Sequence, residues 1–257
     1  MLKSMRSSNT IINNSRHGLF SLCLVFALAF GLTFGLAKQT QAAQADWAVL
    51  ELFTSQSCGS CPPATELLRE LSQRPDVIAL SWSVDYWDHL GWKDTLAQPS
   101  FSGRQRLYNQ QLGKPGIFTP QLVIGGQLDV VGSNRDLVEM SLNQPGIKAR
   151  AIDVTIDKEN VSFSLPATTE VHLGVITLVH FKSDVDIPIT AGENKGKTLH
   201  YPHAVTAANA ISQWDGTARQ ITISRDQFCD EGNALLVQDE EGGAILFAAL
   251  IIANETL

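Results

Sequence analysis

The feature that most constrains this chain is a pair of cysteines, Cys58 and Cys61, placed between an apolar run and an amphipathic segment. Residues 47–53 are apolar and partly β-branched, which predicts a buried strand. After the second cysteine and two prolines, apolar residues recur with helical spacing at Ala64, Leu67, Leu68 and Leu71. Prolines suit the first turn of a helix, because the amides there have no helical partner. The sequence therefore predicts a Cys-x-x-Cys pair at a helix N-terminus.

This placement suits thiol–disulfide exchange. At a helix N-terminus the macrodipole and unpaired amides stabilise a thiolate, and they lower a cysteine pKa from about 8.5 to roughly 3.5–7.5. The first cysteine would attack a partner's disulfide, and the second, one turn later, would resolve the mixed disulfide. We therefore predict that Cys58 is the nucleophile and Cys61 the resolving thiol.

Other interpretations of the pair stay open. It could be a static disulfide in a binding module, or half of a zinc site, although no second ligand pair is adjacent in the sequence. A copper-handling metallochaperone could use both thiolates with one distant histidine. His200 and His203 are three residues apart, which on a strand puts them on opposite faces and disfavours a shared metal ion. We predict no metal site, and no organic cofactor, because the sulfurs themselves carry the electrons.

The first 45 residues have the pattern of a signal peptide. A run of 20 apolar residues, 18–37, follows Arg6 and Arg16, and the segment ends in the small-x-small sequence of residues 43–45. The run is long enough to span a bilayer, so an uncleaved anchor is the alternative. In either case the remaining chain is expected to be exported, to a bacterial periplasm or the medium. After cleavage we expect no stable membrane association.

The charge of the chain restricts the class of partner, and its cysteine content restricts the class of fold. The chain of 257 residues has a formal charge of −7, and the leader holds four basic residues and no acid. Residues 46–257 therefore carry 15 basic against 26 acidic residues, which argues against nucleic acid as a partner. Four cysteines are too few for a disulfide-stapled fold. Cys229 is an odd thiol, which could be a buried spectator, a third redox thiol or an intermolecular cross-link.

The exported part is predicted to divide near residue 147. In 46–147 a second strand, a helix from Ser100, a hairpin around Gly125-Gly126 and a helix beginning near Ser133 follow the cysteine pair. In 148–257 short β-rich segments alternate with turns, which predicts a sandwich-like antiparallel domain. The order in 46–147, with Thr119-Pro120 ahead of the hairpin, resembles the thioredoxin fold.

That resemblance implies several properties. It implies an α/β thioredoxin-like fold with a C-terminal antiparallel all-β domain. It also implies a cis-proline at Pro120 facing the cysteine pair, with Thr119 and Pro120 binding the extended substrate chain. Partners would be protein or small-molecule thiols and disulfides. The oligomeric state is not predicted.

A closer resemblance rests on the segments ELFTSQSCGSCPP (51–63), VDYWD (84–88) and FTPQ (118–121). They are similar to a family of secreted, thioredoxin-like bacterial proteins catalogued as a domain of unknown function. The similarity extends more weakly to 192–197, which we interpret as a turn, and to 214–216. The position of thioredoxin's buried acid is Leu52 here, and Glu51 would face the other side of the strand. We expect Glu51 to be a structural or surface residue.

Residues 82–113 look like an insertion relative to a minimal thioredoxin. They contain Trp82, Trp87 and Trp92, three of the chain's five tryptophans. These aromatics either pack the added helix onto the sheet, which we favour, or form an apolar rim for partner chains.

Overall fold

The computed structural model describes residues 46–171 and 173–252, and the predicted signal peptide and His172 lie outside them. The described chain is a mixed α/β structure with three α-helices: α1 (Pro62–Leu71), α2 (Pro99–Gln111) and α3 (Arg135–Leu142). Its twelve strands are β1 (Ala48–Thr54), β2 (Val77–Ser83), β3 (Gln121–Ile124), β4 (Leu128–Val131), β5 (Arg150–Ala151), β6 (Asp153–Ile156), β7 (Asn160–Leu165), β8 (Gly174–Pro188), β9 (Thr198–Trp214), β10 (Arg219–Ser224), β11 (Gly232–Asp239) and β12 (Ile245–Ile252). Among these residues, none of the helices has the length and hydropathy needed to cross a bilayer.

Nine strands form one sheet in the order β4-β3-β1-β2-β9-β8-β11-β12-β5. Strands β1 and β2 are parallel along their whole length, and β1 and β3 are antiparallel. A single parallel pair, Ser81 with Ala204, joins β2 to β9, and the long strands β8 and β9 form an antiparallel ribbon. The remaining strands form a three-stranded sheet in the order β10-β7-β6. The cysteine pair follows β1, the third strand of the large sheet.

The predicted hairpin of β3 and β4 is confirmed. Gly125 and Gly126 connect the strands with φ angles of 59° and 68°, which glycine adopts at little cost. Neither residue has room for a side chain, since a Cβ would lie 2.4 Å from the carbonyl oxygen of Ile147 and 2.2 Å from that of Gly243, respectively. The predicted start of α3 at Ser133 was wrong by one residue. Asn134 is the N-cap, and its side chain accepts a hydrogen bond from the Leu137 amide.

Strand β1 is buried on both faces because helices cover both sides of the sheet. On one face Leu50 and Leu52 pack with α1 and α3. On the other face Phe53 packs with Trp82 and with Tyr108 of α2. The alternation of side chains along the strand therefore sends Leu52 and Glu51 into different cores, as predicted.

Glu51 lies in what we call the arginine network, formed by Glu51, Arg104, Tyr108 and Gln238. The Arg104 guanidinium donates to both Glu51 oxygens, at 2.7 and 3.1 Å, and to Gln238 Oε1 at 2.9 Å. The Tyr108 hydroxyl also donates to Glu51, and burial raises the pKa of Tyr108 well above its usual value. Glu51 is fully buried, so it is not a surface residue, and its structural role stays a prediction.

In the β-rich part the two sheets pack face to face. Phe163 of β7 and Leu178 of β8 belong to one apolar cluster, together with Trp214 and Phe247. A second cluster extends from Val49 in β1 to Leu236 in β11. The hydrogen-bonded sheet runs across the predicted boundary between residues 147 and 148, and the division into two domains stays a prediction.

Candidate functional site

Cys58 and Cys61 form a disulfide, with Cα atoms 5.4 Å apart. Cys58 is 6% exposed and Cys61 2%, so the first cysteine is the more accessible, and Gly59 and Ser60 between them are exposed. The residues just before the pair, Thr54 to Ser57, are fully buried although they are polar. Only the tip of this loop therefore reaches the surface.

Cys61 is the N-cap residue of α1, as the sequence predicted. The first turn offers few free amides, however. Pro62 and Pro63 carry no N–H, and the amides of Ala64 and Thr65 donate to the Cys61 carbonyl at 2.9 and 3.2 Å. Stabilisation of a thiolate here therefore depends on the helix dipole and on groups from outside the helix.

The buried segment before Cys58 is held by what we call the cysteine-loop network, which is centred on Gln56 and Asp94. The Gln56 amide donates to Asp94 Oδ2 at 2.7 Å. Its side-chain oxygen accepts from Trp92 Nε1 at 2.8 Å and from the Thr95 amide at 3.2 Å. Burial raises the pKa of Asp94 to about 6, against the lowering effect of hydrogen bonds from the Gln56 and Leu96 amides. Among the described residues no cation pairs with this carboxylate, and it orients the loop through its bonds to backbone amides.

The turn between β8 and β9 also lies against the cysteine loop. Asn194 in this turn is fully buried, and its amide donates to the carbonyl oxygens of Gln56 at 3.0 Å and Cys58 at 2.9 Å. The neighbouring Glu193 is exposed, and its carboxylate accepts from the Gly59 amide at 3.0 Å. The segment 192–197 is a turn, as predicted, and it belongs to the surroundings of the cysteine pair.

The predicted substrate-binding residues, Thr119 and Pro120, lie near the carboxyl end of β1, which the cysteine loop follows. The Thr119–Pro120 bond is cis, Pro120 is buried and Thr119 is half-buried. In the antiparallel pairing of β1 and β3, Phe53 faces Gln121, so Pro120 comes next to the end of β1. The Pro120 carbonyl accepts from the Gly132 amide at 3.0 Å, and a Cβ on Gly132 would lie 3.2 Å from that of Ala64 in α1. The proline segment thus reaches the start of the helix that follows the cysteines.

A pocket of about 200 Å³ opens beside the disulfide. Helix α1 and the first residues of β9 form its walls, with apolar surface from Leu199 and Tyr201 and charge from Glu66. The residues that line it are Cys61, Pro62, Thr65, Glu66, Thr198, Leu199, His200 and Tyr201. Its size suits one side chain of a partner, not a whole cofactor.

The three insertion tryptophans have different places. Trp82 is fully buried and packs edge-on against Phe101 of α2, so it joins the added helix to the sheet, as favoured. Trp87 and Trp92 are half-buried, and their indole nitrogens bond to Thr119 Oγ1 at 2.7 Å and to Gln56 Oε1 at 2.8 Å. These two side chains brace the proline segment and the cysteine loop.

His200 lines the pocket beside Cys61, whereas Cys229 and His203 do not line it. Cys229 is an unpaired, half-buried thiol whose sulfur donates to the Gly232 carbonyl at 2.9 Å. His200 contacts Asp186, and His203 Nδ1 lies 2.8 Å from the Ala79 carbonyl. Within 46–171 and 173–252, no three His, Cys, Asp or Glu residues lie together as a metal-binding group.

Sequence reasoning found the cysteines and the proline segment but missed Asp94, Glu193 and Asn194. Asp94 has no local pattern that distinguishes it from a surface acid. For Glu193 and Asn194 the signal was the weak family resemblance of 192–197, which did not indicate contact with the cysteines. These contacts join residues 38 to 138 positions apart.

Comparison with known proteins agrees with this architecture. A crystal structure of an Agrobacterium tumefaciens protein is 29% identical, with a TM-score of 0.72, and the match covers 84% of this chain and 98% of that chain. HBP35 of Porphyromonas gingivalis is 15% identical, with a TM-score of 0.54 over 82% of this chain and 76% of that chain, which is a likeness of fold alone. No curated protein matches significantly. The family model for the protein of unknown function DUF1223 matches residues 49–238, and this chain belongs to that family.

Proposed function

We propose that this protein is an exported, thioredoxin-like thiol–disulfide oxidoreductase that acts through Cys58 and Cys61. The observation that carries the proposal is the placement of three features around the carboxyl end of β1. A cysteine pair lies at the start of α1, the Thr119–Pro120 segment comes next to the end of β1, and a pocket opens next to Cys61.

The arrangement of strands in residues 46–147 supports this proposal. The strand order β4-β3-β1-β2, with β1 parallel to β2 and antiparallel to β3, places the cysteine loop at the carboxyl end of β1. Ligands of open α/β sheets bind outside the carboxyl ends of the strands, which is the position of this loop. We propose that the β-rich segment 148–257 completes the site, because its turn at Glu193 and Asn194 contacts the loop.

The reaction would proceed by two exchanges. In the reduced protein the Cys58 thiolate attacks a partner's disulfide, so that a bond to Cys58 forms and one partner sulfur leaves as a thiolate and is protonated. Cys61 then loses its proton and attacks the Cys58 sulfur, which restores the Cys58–Cys61 disulfide and releases the second partner sulfur. Two electrons and two protons pass to the partner, and an external dithiol must reduce the pair again.

The roles of the other predicted residues follow from their positions. Cys58 is 6% exposed against 2% for Cys61, which suits the attacking residue, and Cys61 lies at the N-cap of α1. Thr119 and Pro120 would present the partner's backbone, and the pocket beside Cys61 would take one partner side chain. The partners we propose are protein or small-molecule thiols and disulfides outside the cytoplasm.

The test is a trapping experiment with matched cysteine variants. In Cys61→Ser the resolving step is blocked, so a mixed disulfide at Cys58 should accumulate with oxidised model peptides and with glutathione disulfide. Cys58→Ser is the control and should accumulate much less, because its remaining thiol is nearly buried. Mass spectrometry of the adducts gives the readout. A pair that stays oxidised in mild reductant and traps no disulfide in either variant would overturn the proposal in favour of a static disulfide in a binding module.

A further inference from the structure

The turn 189–197 between β8 and β9 is fixed against the cysteine loop by its own hydrogen bonds. The Ile189 amide donates to the Lys197 carbonyl at 2.9 Å, which closes the turn. Lys197 Nζ donates to Asn194 Oδ1 at 2.9 Å, and this leaves the Asn194 amide directed at the carbonyls of Gln56 and Cys58. Asn194 therefore anchors the turn, and Glu193 is placed by it.

The Glu193 carboxylate accepts a hydrogen bond from the backbone amide of Gly59, the residue directly after Cys58. Its Oε2 accepts from the Gly59 N–H at 3.0 Å, and a Cβ at position 59 would lie only 2.6 Å from the same oxygen. Glycine between the cysteines thus allows the carboxylate to approach the loop. A negative charge is held within one residue of the attacking sulfur.

The helix offers little to offset this charge. The first two residues of α1 are prolines, and the next two amides donate to the Cys61 carbonyl. The neutral Ser60 hydroxyl lies 3.4 Å from Cys58 Sγ. Of the other charged groups around the loop, Glu66 beside the pocket pairs with Arg69, Asp94 accepts from the Gln56 amide, and Lys197 donates to Asn194. Glu193 is bonded to the residue next to Cys58, so a thiolate at Cys58 meets the negative charge of that carboxylate.

We propose that Glu193 is a positioning residue that lowers the reduction potential of the Cys58–Cys61 pair by opposing the Cys58 thiolate. This inference rests on the proposed thiol–disulfide exchange. A stabilised thiolate favours the reduced form and makes a pair more oxidising, so a carboxylate near the sulfur has the opposite effect. The pair is thereby biased towards giving two electrons to a partner disulfide, with an external dithiol as the source.

The experiment compares Glu193→Gln with wild type in the full exported chain. Glutamine keeps an oxygen for the Gly59 amide and removes only the charge, and the exposed position makes misfolding no concern. We expect the Cys58 pKa, measured from the pH dependence of alkylation, to fall by about 0.5–1 unit. In glutathione buffers at a pH above the Cys58 pKa of both proteins, the equilibrium should shift towards the reduced pair about threefold to tenfold, which corresponds to about 14–30 mV.

Glu231→Gln is the matched control. The Glu231 carboxylate also accepts from a backbone amide, that of Ser183 at 2.9 Å, and is also exposed, but it does not contact the cysteine loop. It should leave both readouts within twofold of wild type.

The outcomes separate the two proposals. If wild type equilibrates with glutathione but Glu193→Gln shifts the equilibrium less than twofold, or towards the oxidised pair, the role of Glu193 is wrong and exchange stands. An equal shift in Glu231→Gln would also overturn it, since the effect would then be one of net charge. If the wild-type pair does not equilibrate with glutathione at all, the proposed function itself fails.

Discussion

The arginine network and the cysteine-loop network are both buried and polar, yet they are built differently. In the first, a carboxylate and a guanidinium meet in a bidentate pair, Tyr108 bonds to both of these groups, and Gln238 bonds to Arg104 and Tyr108. In the second, the buried carboxylate of Asp94 accepts from backbone amides, and amide side chains make the other bonds. Burial of a charge costs free energy in both networks, and a guanidinium partner offsets more of that cost for Glu51 than backbone amides do for Asp94.

This difference indicates different roles. The arginine network joins β1, α2 and β11 behind the sheet and has no contact with the cysteines in the described structure. The cysteine-loop network holds four polar residues out of water immediately before Cys58. We interpret the arginine network as stabilising the fold and the cysteine-loop network as positioning the segment before Cys58. The predictions below test that comparison.

The largest effect is expected from Arg104→Met. The substitution leaves the Glu51 carboxylate buried without its cation, and removal of one partner of a buried ion pair costs about 3–5 kcal/mol. Urea denaturation would measure the loss. Arg135→Met is the control, because it breaks the exposed pair with Glu70 and should cost less than about 1 kcal/mol. Equal losses in the two variants would remove the distinction between the networks.

Asn194→Ala should give the next largest effect. It removes the side-chain donor of the buried Gln56 carbonyl and leaves the Cys58 carbonyl with only the Cys61 amide, at a cost of about 2–3 kcal/mol in unfolding free energy. Reduction of the disulfide by dithiothreitol should also become faster, because the loop is freed from the turn. Asn143→Ala, which removes an exposed bond to the Glu139 carbonyl, should change stability by less than about 0.5 kcal/mol and leave the reduction rate unchanged. A slower or unchanged reduction rate in Asn194→Ala would count against a positioning role.

Asp94→Asn tests the unpaired carboxylate through pH. The pKa of Asp94 is about 6 in the folded protein against 3.8 as its ordinary value, so the folded state binds the proton more tightly. The stability due to this raised pKa is present at low pH and is lost as pH rises through 6. Between pH 4.5 and 7.5 the wild type should therefore lose about 2 kcal/mol relative to Asp94→Asn, measured by urea denaturation at each pH. A difference between the two proteins that stays constant, or that moves in favour of wild type as pH rises, would contradict the assignment.

The smallest effect is expected from Trp92→Phe. Loss of the indole bond to Gln56 Oε1 should cost about 1 kcal/mol and modestly increase the rate of disulfide reduction. Trp87→Phe is the matched control, since it removes a similar bond to Thr119 Oγ1 on the proline side. It should cost a similar amount of stability with no change in the reduction rate. Equal rate changes would mean that the two tryptophans act on the site as one unit.

Local sequence patterns predicted much of the fold near the cysteines. The strand before Cys58, the helix from Pro62 and the Gly125-Gly126 hairpin each lie within a few residues and follow from periodicity, proline placement and glycine conformation. The N-cap of α3 was misplaced by one residue, because Ser133 and Asn134 are both good caps and the sequence does not rank them. The pairing of β2 with β9 had no local signal, since its partners, Ser81 and Ala204, are far apart in the chain.

By itself the sequence determined that two cysteines lie between a buried strand and a helix, and that Glu51 and Leu52 face opposite sides of that strand. Both follow from spacing along a single element, where geometry is set by bonds between near neighbours. Only the tertiary structure decided that Glu51 meets Arg104, that Asp94 holds Gln56, and that Glu193 and Asn194 reach the cysteine loop. These contacts depend on how strands and turns from distant parts of the chain are brought together, and the spacing of residues along one element carries no record of that.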